Sequence, residues 1–364
     1  MRELKNKKVF LNVICSELRF KGVSIICSWK IVRIFTFGLI LLLFSTSVSL
    51  ADAFVNGEKK TTILIENGDL SVIFRDNSTS PEDLSGIQSL FNKKASVDFD
   101  AYDPDSKGAS AGLNFEHIIS GHKSPFNKFT PRRGRYDLFH LPDRNTVMLV
   151  RSREDSPWDI SSTFAYKVTK PHYIDMEFRC KIHDLSLFGE YAYAIFFFAN
   201  YMNDVEEIPL NFLGVERAGA YEKWIAAEAP QGHPDWNSGG TYRHANATAL
   251  EYDKDMQFRL NSWSYDYPRF TKPFYYGRAG QGMVFILMFN KTFSQDDQIR
   301  FSLFKFKVPR HPRPAWDFQY VINKVEKDRE HGFKGRLVWK RFVSRQDCLK
   351  EYEKWQSEPI AIRD

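Results

Sequence analysis

The feature that most constrains this chain is a hydrophobic period of two. In IRFSLFKFKV (299–308), Ile299, Phe301, Leu303/Phe304 and Phe306 alternate with charged or polar neighbours, the pattern of a strand with one face buried. TTILIENGDLSVIF (61–74) sets Asn67-Gly68 between two short β-rich runs, a strong hairpin signal. Further strands are expected at 163–168, 173–180, 191–202, 210–215, 283–290, 318–325 and 336–343. AIFFFANYM is apolar on both parities, which predicts a central strand covered on both faces. Helix is scarce. A short one is expected within 80–92, and a clearer one at 344–357, where Ser344 and Asp347 form a capping arrangement and Cys348/Leu349, Tyr352 and Trp355 share one face. The pattern predicts an all-β fold, a large antiparallel β-sandwich with few short helices and a C-terminal helix. No 20–50-residue repeat divides it, and 217–264 carries little strand pattern, as a long functional loop would.

The chain has 364 residues, 43% hydrophobic and 26% charged, the composition of a protein with a core. Residues 34–50 form an uncharged apolar run preceded by Lys30 and Arg33 and followed by small residues at 49–53. That order suits a secretory signal; a membrane-spanning helix is the competing reading of the same 17 residues. Residues 1–53 are therefore expected to be a signal peptide or N-terminal anchor with a long leading region, and 54–364 a single domain, secreted or periplasmic. Membrane contact is expected only through an uncleaved N-terminal segment. The leader holds 8 Lys/Arg against 3 Asp/Glu, whereas the rest holds 43 against 42. A nearly balanced body gives no whole-domain attraction to nucleic acid, which is not expected as a partner. Cys15 and Cys27 lie in the leader; Cys180 and Cys348 either pair in an oxidising compartment or stay as buried thiols.

Three segments concentrate chemistry-bearing residues. GLNFEHIISGH (112–122) holds Asn114, Glu116, His117 and His122; Glu with His is an acid/base pair, although His-x4-His matches no zinc motif. GHPDWNSGGTYRH (232–244) holds His233, Asp235, Trp236, Arg243 and His244, a mixture that suits sugar: an indole packs on a pyranose face while polar groups bond its hydroxyls. NSWSYDYPRFTKPFYYGR (261–278) interleaves Trp263, Tyr275 and Tyr276 with Arg278, and its arginines suit a uronate carboxylate. Each segment has a plainer reading as hydrogen-bonded structure. Walker A, GxSxG, HExxH and dinucleotide fingerprints are absent, which disfavours nucleotide, Rossmann redox and zincin chemistry.

The order NGDLSVIFRDNS, SGIQSLF, AGLNFEHIISGH, SPWDISSTFAYKVTKPHYIDMEFRC, YAIFFFANYMN, FYYGR and FSLFKFKV resembles exported proteins of the galactose mutarotase-like β-supersandwich superfamily, over about residues 60–345. The resemblance implies that SSTFAYKV and PHYIDMEFRC are consecutive antiparallel strands of a large sheet. In mutarotases a His acid and a Glu base open the sugar ring. Glu116 and His117 are adjacent, which on a strand sends them to opposite faces and argues against a simple transfer of those roles.

The expectation is a secreted carbohydrate-active protein that binds an oligo- or polysaccharide and acts on it as lyase, hydrolase or epimerase. His117, His122, His233, His244 and Tyr275 are the candidates for proton transfer. Asn114, Glu116, Asp235, Trp236, Arg243, Trp263, Tyr276 and Arg278 are the candidates for substrate binding. No cofactor or resident metal is expected, with a divalent cation left open. The alternative is a non-catalytic glycan-binding or envelope sandwich.

Overall fold

The computed structural model describes residues 56–78, 85–102, 114–119, 134–228, 238–252, 265–307 and 312–358, all within the unit Val55–Asp364. The expected export segment lies outside them, and no described helix is long and apolar enough to cross a membrane. The described residues form three antiparallel sheets.

An 11-stranded sheet runs β1 (Glu58–Lys60), β6 (Asp137–His140), β7 (Thr146–Arg151), β8 (Ile160–Thr169), β9 (Tyr173–Ile182), β19 (Glu330–Arg341), β16 (Met283–Thr292), β15 (Phe274–Ala279), β11 (Val205–Val215) and β12 (Lys223–Ala226), with β14 (Arg269–Phe270) also on β11. A five-stranded sheet runs β13 (Ser238–Tyr242), β17 (Gln298–Lys307), β18 (Pro312–Ile322), β10 (Ala194–Ala199) and β5 (Asn114–Ile119). The third joins β2 (Thr62–Asn67), β3 (Leu70–Arg75) and β4 (Gly86–Asn92).

The period-two residues of the sequence meet between the two larger sheets. Phe196 and Phe198 of β10, Phe301 and Leu303 of β17, and Trp316, Phe318 and Tyr320 of β18 share one core with Phe164, Phe178, Phe285, Phe289 and Phe333 of the large sheet. Edge-to-face contacts such as Phe318–Phe333, with centroids 5.4 Å apart, stitch the layers together. As its two apolar parities require, β10 is buried along its whole length between β18 and β5.

The expected strand pair at 163–180 is found as β8 and β9, in register from Ile160↔Ile182 to Thr169↔Tyr173. The β2–β3 turn falls on Gly68-Asp69, closed by Asn67↔Leu70, one residue beyond the expected Asn67-Gly68 centre. Gly68 has φ +58°, and a Cβ there would lie 2.4 Å from the Pro171 carbonyl, so both backbone and space favour glycine.

The described part of 80–92 is strand β4, not helix. A bulge on its pairing with β3 brings both Ile87 and Leu90 into the core, so a strand acquires the three-residue apolar spacing of a helix. The segment 217–264, read as loop, contributes β12 and β13. The helix α1 (Arg345–Ser357) forms as expected, with the Ser344 hydroxyl accepting from the Asp347 N–H. Its Cys348, Leu349, Tyr352 and Trp355 cover Phe274, Tyr276, Ile286 and Val338 on the outer face of the large sheet. Cys180 and Cys348 are free, buried thiols in separate clusters.

Candidate functional site

The five-stranded sheet carries two of the three chemistry-bearing segments, one on each edge. Asn114, Glu116 and His117 lie on β5; His117 pairs in register with Phe197 and Asn114 with Ala199, and Glu116 falls at the irregularity between them. Arg243 and His244 follow β13 on the other edge. Four inter-strand spacings separate those edges, about 19 Å. The two strands therefore do not set His117 beside His244 as a proton-transfer pair. His122, His233, Asp235, Trp236 and Trp263 lie outside the described residues.

Three other candidates stand in places their expected roles do not suit. Tyr275 is fully buried between the sheets, where its hydroxyl donates to the Trp316 carbonyl at 2.6 Å and burial pushes its pKa well above the ordinary value. It is a core residue rather than an acid at a cleft. Tyr276 and Arg278 alternate with it onto the outer face of the large sheet, the α1 side. Tyr276 packs there against Trp224 and Phe342. Arg278 lies over the Phe342 ring at 4.2 Å and pairs with Glu206 and Glu207. Because a one-residue step along a strand reverses the side chain, the YYGR string divides between two faces.

His244 is held at both ring nitrogens. Nδ1 accepts from the Asn246 N–H at 3.0 Å, which leaves Nε2 to donate to the Thr271 carbonyl at 3.2 Å. Burial lowers its pKa, so the neutral ring is the resident form. Accepting a proton at Nδ1 would break the bond to Asn246. His244 thus clasps the 244–248 turn to the β14 segment, a positioning role rather than that of a free general base.

That clasp borders a cavity of about 280 Å³ at one end of the sandwich. Its polar lining comprises His244, Asn246, Thr248, Asn290, Thr292, Gln295, Asp296, Asp297 and Gln298, and Phe270, Pro273 and Ile299 supply apolar surface. Asp297 forms its inner wall: one carboxylate oxygen accepts from the Tyr320 hydroxyl at 2.5 Å and from His331 Nδ1 at 3.0 Å. His331 is 1% exposed, stands across from Cys180 and leaves Nε2 without a partner. Burial raises the pKa of Cys180 well above its ordinary value, so this thiol stays protonated and is no nucleophile. No group of three or more metal-ligating side chains occurs among the described residues.

One register position further along the small sheet is a residue that the sequence did not single out. Arg300 of β17 is 1% exposed. Its Nη1 donates to the Tyr252 hydroxyl at 2.6 Å, whereas Nε and Nη2 have no partner. It lies beside a chain of small polar groups in which Gln319 donates to both Thr241 and Ser302, and those two hydroxyls are 3.0 Å apart. In sequence Arg300 reads only as the polar alternate of a half-buried strand, so periodicity marks its face but not its burial. Asp296 and Asp297 lie in the link between β16 and β17, where no strand period marks them.

No family model and no curated protein matches the chain. Among solved structures, it is similar to a galactose mutarotase related enzyme from Lactobacillus acidophilus, at 8% identity and TM-score 0.46, covering 78% of this chain and 100% of that one. It is also similar to a GalM/aldose epimerase homologue from C. elegans, at 8% identity and TM-score 0.40, covering 79% and 100%. A mutant of the heparan sulfate lyase HepC from Pedobacter heparinus matches at 9% identity and TM-score 0.41, over 86% of this chain but 41% of the lyase. These neighbours are mutarotase-like and carbohydrate-active. Likenesses this distant leave the chemistry to be read from the residues.

Proposed function

We propose that this protein binds a saccharide at the end of the sandwich where the 244–248 turn meets β16 and β17. The observation that carries this reading is the make-up of the cavity: amides and carboxylates from three chain segments surround a space of about 280 Å³, with Phe270, Pro273 and Ile299 as its apolar part. Saccharides present that same combination of hydroxyls and apolar ring faces, and side-chain amides and carboxylates match hydroxyls as both donors and acceptors. The cavity suits one or two sugar units, so a longer glycan would extend along the adjoining loops.

Binding accounts for the described residues better than turnover does. His244 and Tyr275, the two expected proton-transfer residues whose side chains are described, have their polar atoms committed to backbone groups. Export through the 34–50 segment would bring this site to glycans outside the cytoplasm.

Calorimetry of the purified chain against neutral and acidic oligosaccharides tests the proposal, with Asp296→Ala as the cavity variant and assays for new reducing ends and unsaturated sugars run in parallel. Saturable binding that Asp296→Ala weakens severalfold, with no product formed, is the expected result. Binding indifferent to cavity substitutions would overturn the assignment, and product formation would make the protein an enzyme.

A further inference from the structure

Building on the saccharide reading, we infer that Arg243 and Arg300 form a subsite for an oxyanion carried by the sugar, either a uronate carboxylate or a sulfate ester. β13 and β17 pair from Ser238↔Lys305 to Tyr242↔Phe301, so the next position sets Arg243 opposite Arg300. Tyr242 and Phe301 belong to the inter-sheet core, and the alternation places the two arginines on the other face with Thr241 and Ser302. Like charges directly across a strand pair repel, and a buried charge needs both a counter-charge and hydrogen-bond partners. Here neither need is met within the pair. Arg300 keeps Nε and Nη2 unpartnered at 1% exposure, and Nε of Arg243 is unpartnered as well.

Among the described residues no carboxylate pairs with Arg300. Arg243 donates to Asp266 at 2.6 Å, but that carboxylate is 79% exposed and is shared with Arg269. Tyr252 offers Arg300 a hydroxyl oxygen rather than a carboxylate. Asp317, across from Ser302 on the same face, has a carboxylate oxygen engaged by the Asn200 N–H. Burial above all, and the Arg243 charge, weaken proton binding at Arg300, with Tyr252 opposing them. Guanidinium groups with free N–H donors fit the planar carboxylate and the sulfate oxygens alike. The link to the cavity is Gln298, which lines it and lies two residues from Arg300 on the same face of β17.

The experiment uses the full chain and its Arg300→Met and Arg243→Met variants, titrated with a uronate-rich chain, a sulfated neutral galactan and an uncharged galactan. Losing hydrogen bonds to a charged group corresponds to about 10–100-fold in affinity. Wild type should prefer one of the acidic chains by about tenfold or more, and each variant should lose that preference while keeping the uncharged galactan within about twofold. Which acidic chain is preferred tells carboxylate from sulfate. Arg300→Met should melt no lower than wild type, since it removes an unpartnered charge from the interior. Inorganic sulfate, compared with chloride at equal ionic strength, should raise the Tm of wild type more than that of Arg300→Met, and this readout needs no glycan. If no glycan binds, the saccharide reading fails, and the sulfate comparison alone decides the anion subsite. Equal affinity of wild type for acidic and uncharged chains, unchanged acidic-chain affinity in both variants, or an equal sulfate response would each overturn the inference.

Discussion

Glu351→Gln tests how α1 is fastened to the large sheet. Glu351 is 11% exposed and sits among Lys340, the Tyr173 hydroxyl at 2.8 Å and His172 Nε2 at 3.7 Å. Burial alone would raise its pKa; the contacts with His172, Lys340 and Tyr173 outweigh burial and hold it at about 2, against an ordinary 4.5. A carboxyl depressed in this way contributes stability that is complete above its unfolded pKa and is lost as pH falls toward the folded value. The difference corresponds to about 3 kcal/mol at pH 7 and about 1.4 kcal/mol at pH 3. Glutamine keeps the volume and one hydrogen bond, and Lys340 retains Asp347 at 2.9 Å, so the expected loss at pH 7 is about 2–3 kcal/mol rather than the larger cost of an abandoned buried charge. That is a Tm lower by roughly 5 °C. Urea unfolding of wild type and variant from pH 7 to pH 3 should show the gap narrowing by about 2 kcal/mol, because the wild-type carboxyl is being protonated. Equal stability at pH 7, or a gap that does not change with pH, would refute the assignment.

Other substitutions probe the layers and the corrected site. Gly277→Ala would place a Cβ 2.5 Å from the Trp316 indole, which is fixed by its Nε1–H donating to the Ile208 carbonyl, and should cost about 1–3 kcal/mol in a denaturant titration. Tyr275→Phe should lower stability by about 1 kcal/mol through the lost Trp316 bond and leave glycan affinity unchanged; a selective loss of binding or turnover would restore it to the site. Cys180 and Cys348 are free and buried, the latter with its pKa pushed up to about 12, so native protein should resist thiol alkylation and reductant should not shift its Tm.

Alternation and local punctuation made much of the fold legible. Ile299, Phe301 and Leu303 face the core as their period requires, and the apolar stripe of α1 covers the sheet as its spacing requires. Where the pattern misled, a non-local partner was responsible. The β4 bulge exists only against β3, and the two strands within 217–264 exist only because β11 and β17 are there to pair with them.

The candidate site was less legible. Arg243 stood out in the sequence as a candidate for binding, but Arg300, 57 positions later, did not. Sequence by itself determined the class of structure, because side-chain parity along an extended backbone is a local property. Tertiary structure alone decided that β5 and β13 occupy opposite edges of one sheet, that Tyr275 and Tyr276 separate onto different faces, and that Arg243 comes near Arg300 where the β13–β17 pairing ends. Those facts depend on strand order and register, which are set by contacts between distant segments and leave no periodic trace in any one of them.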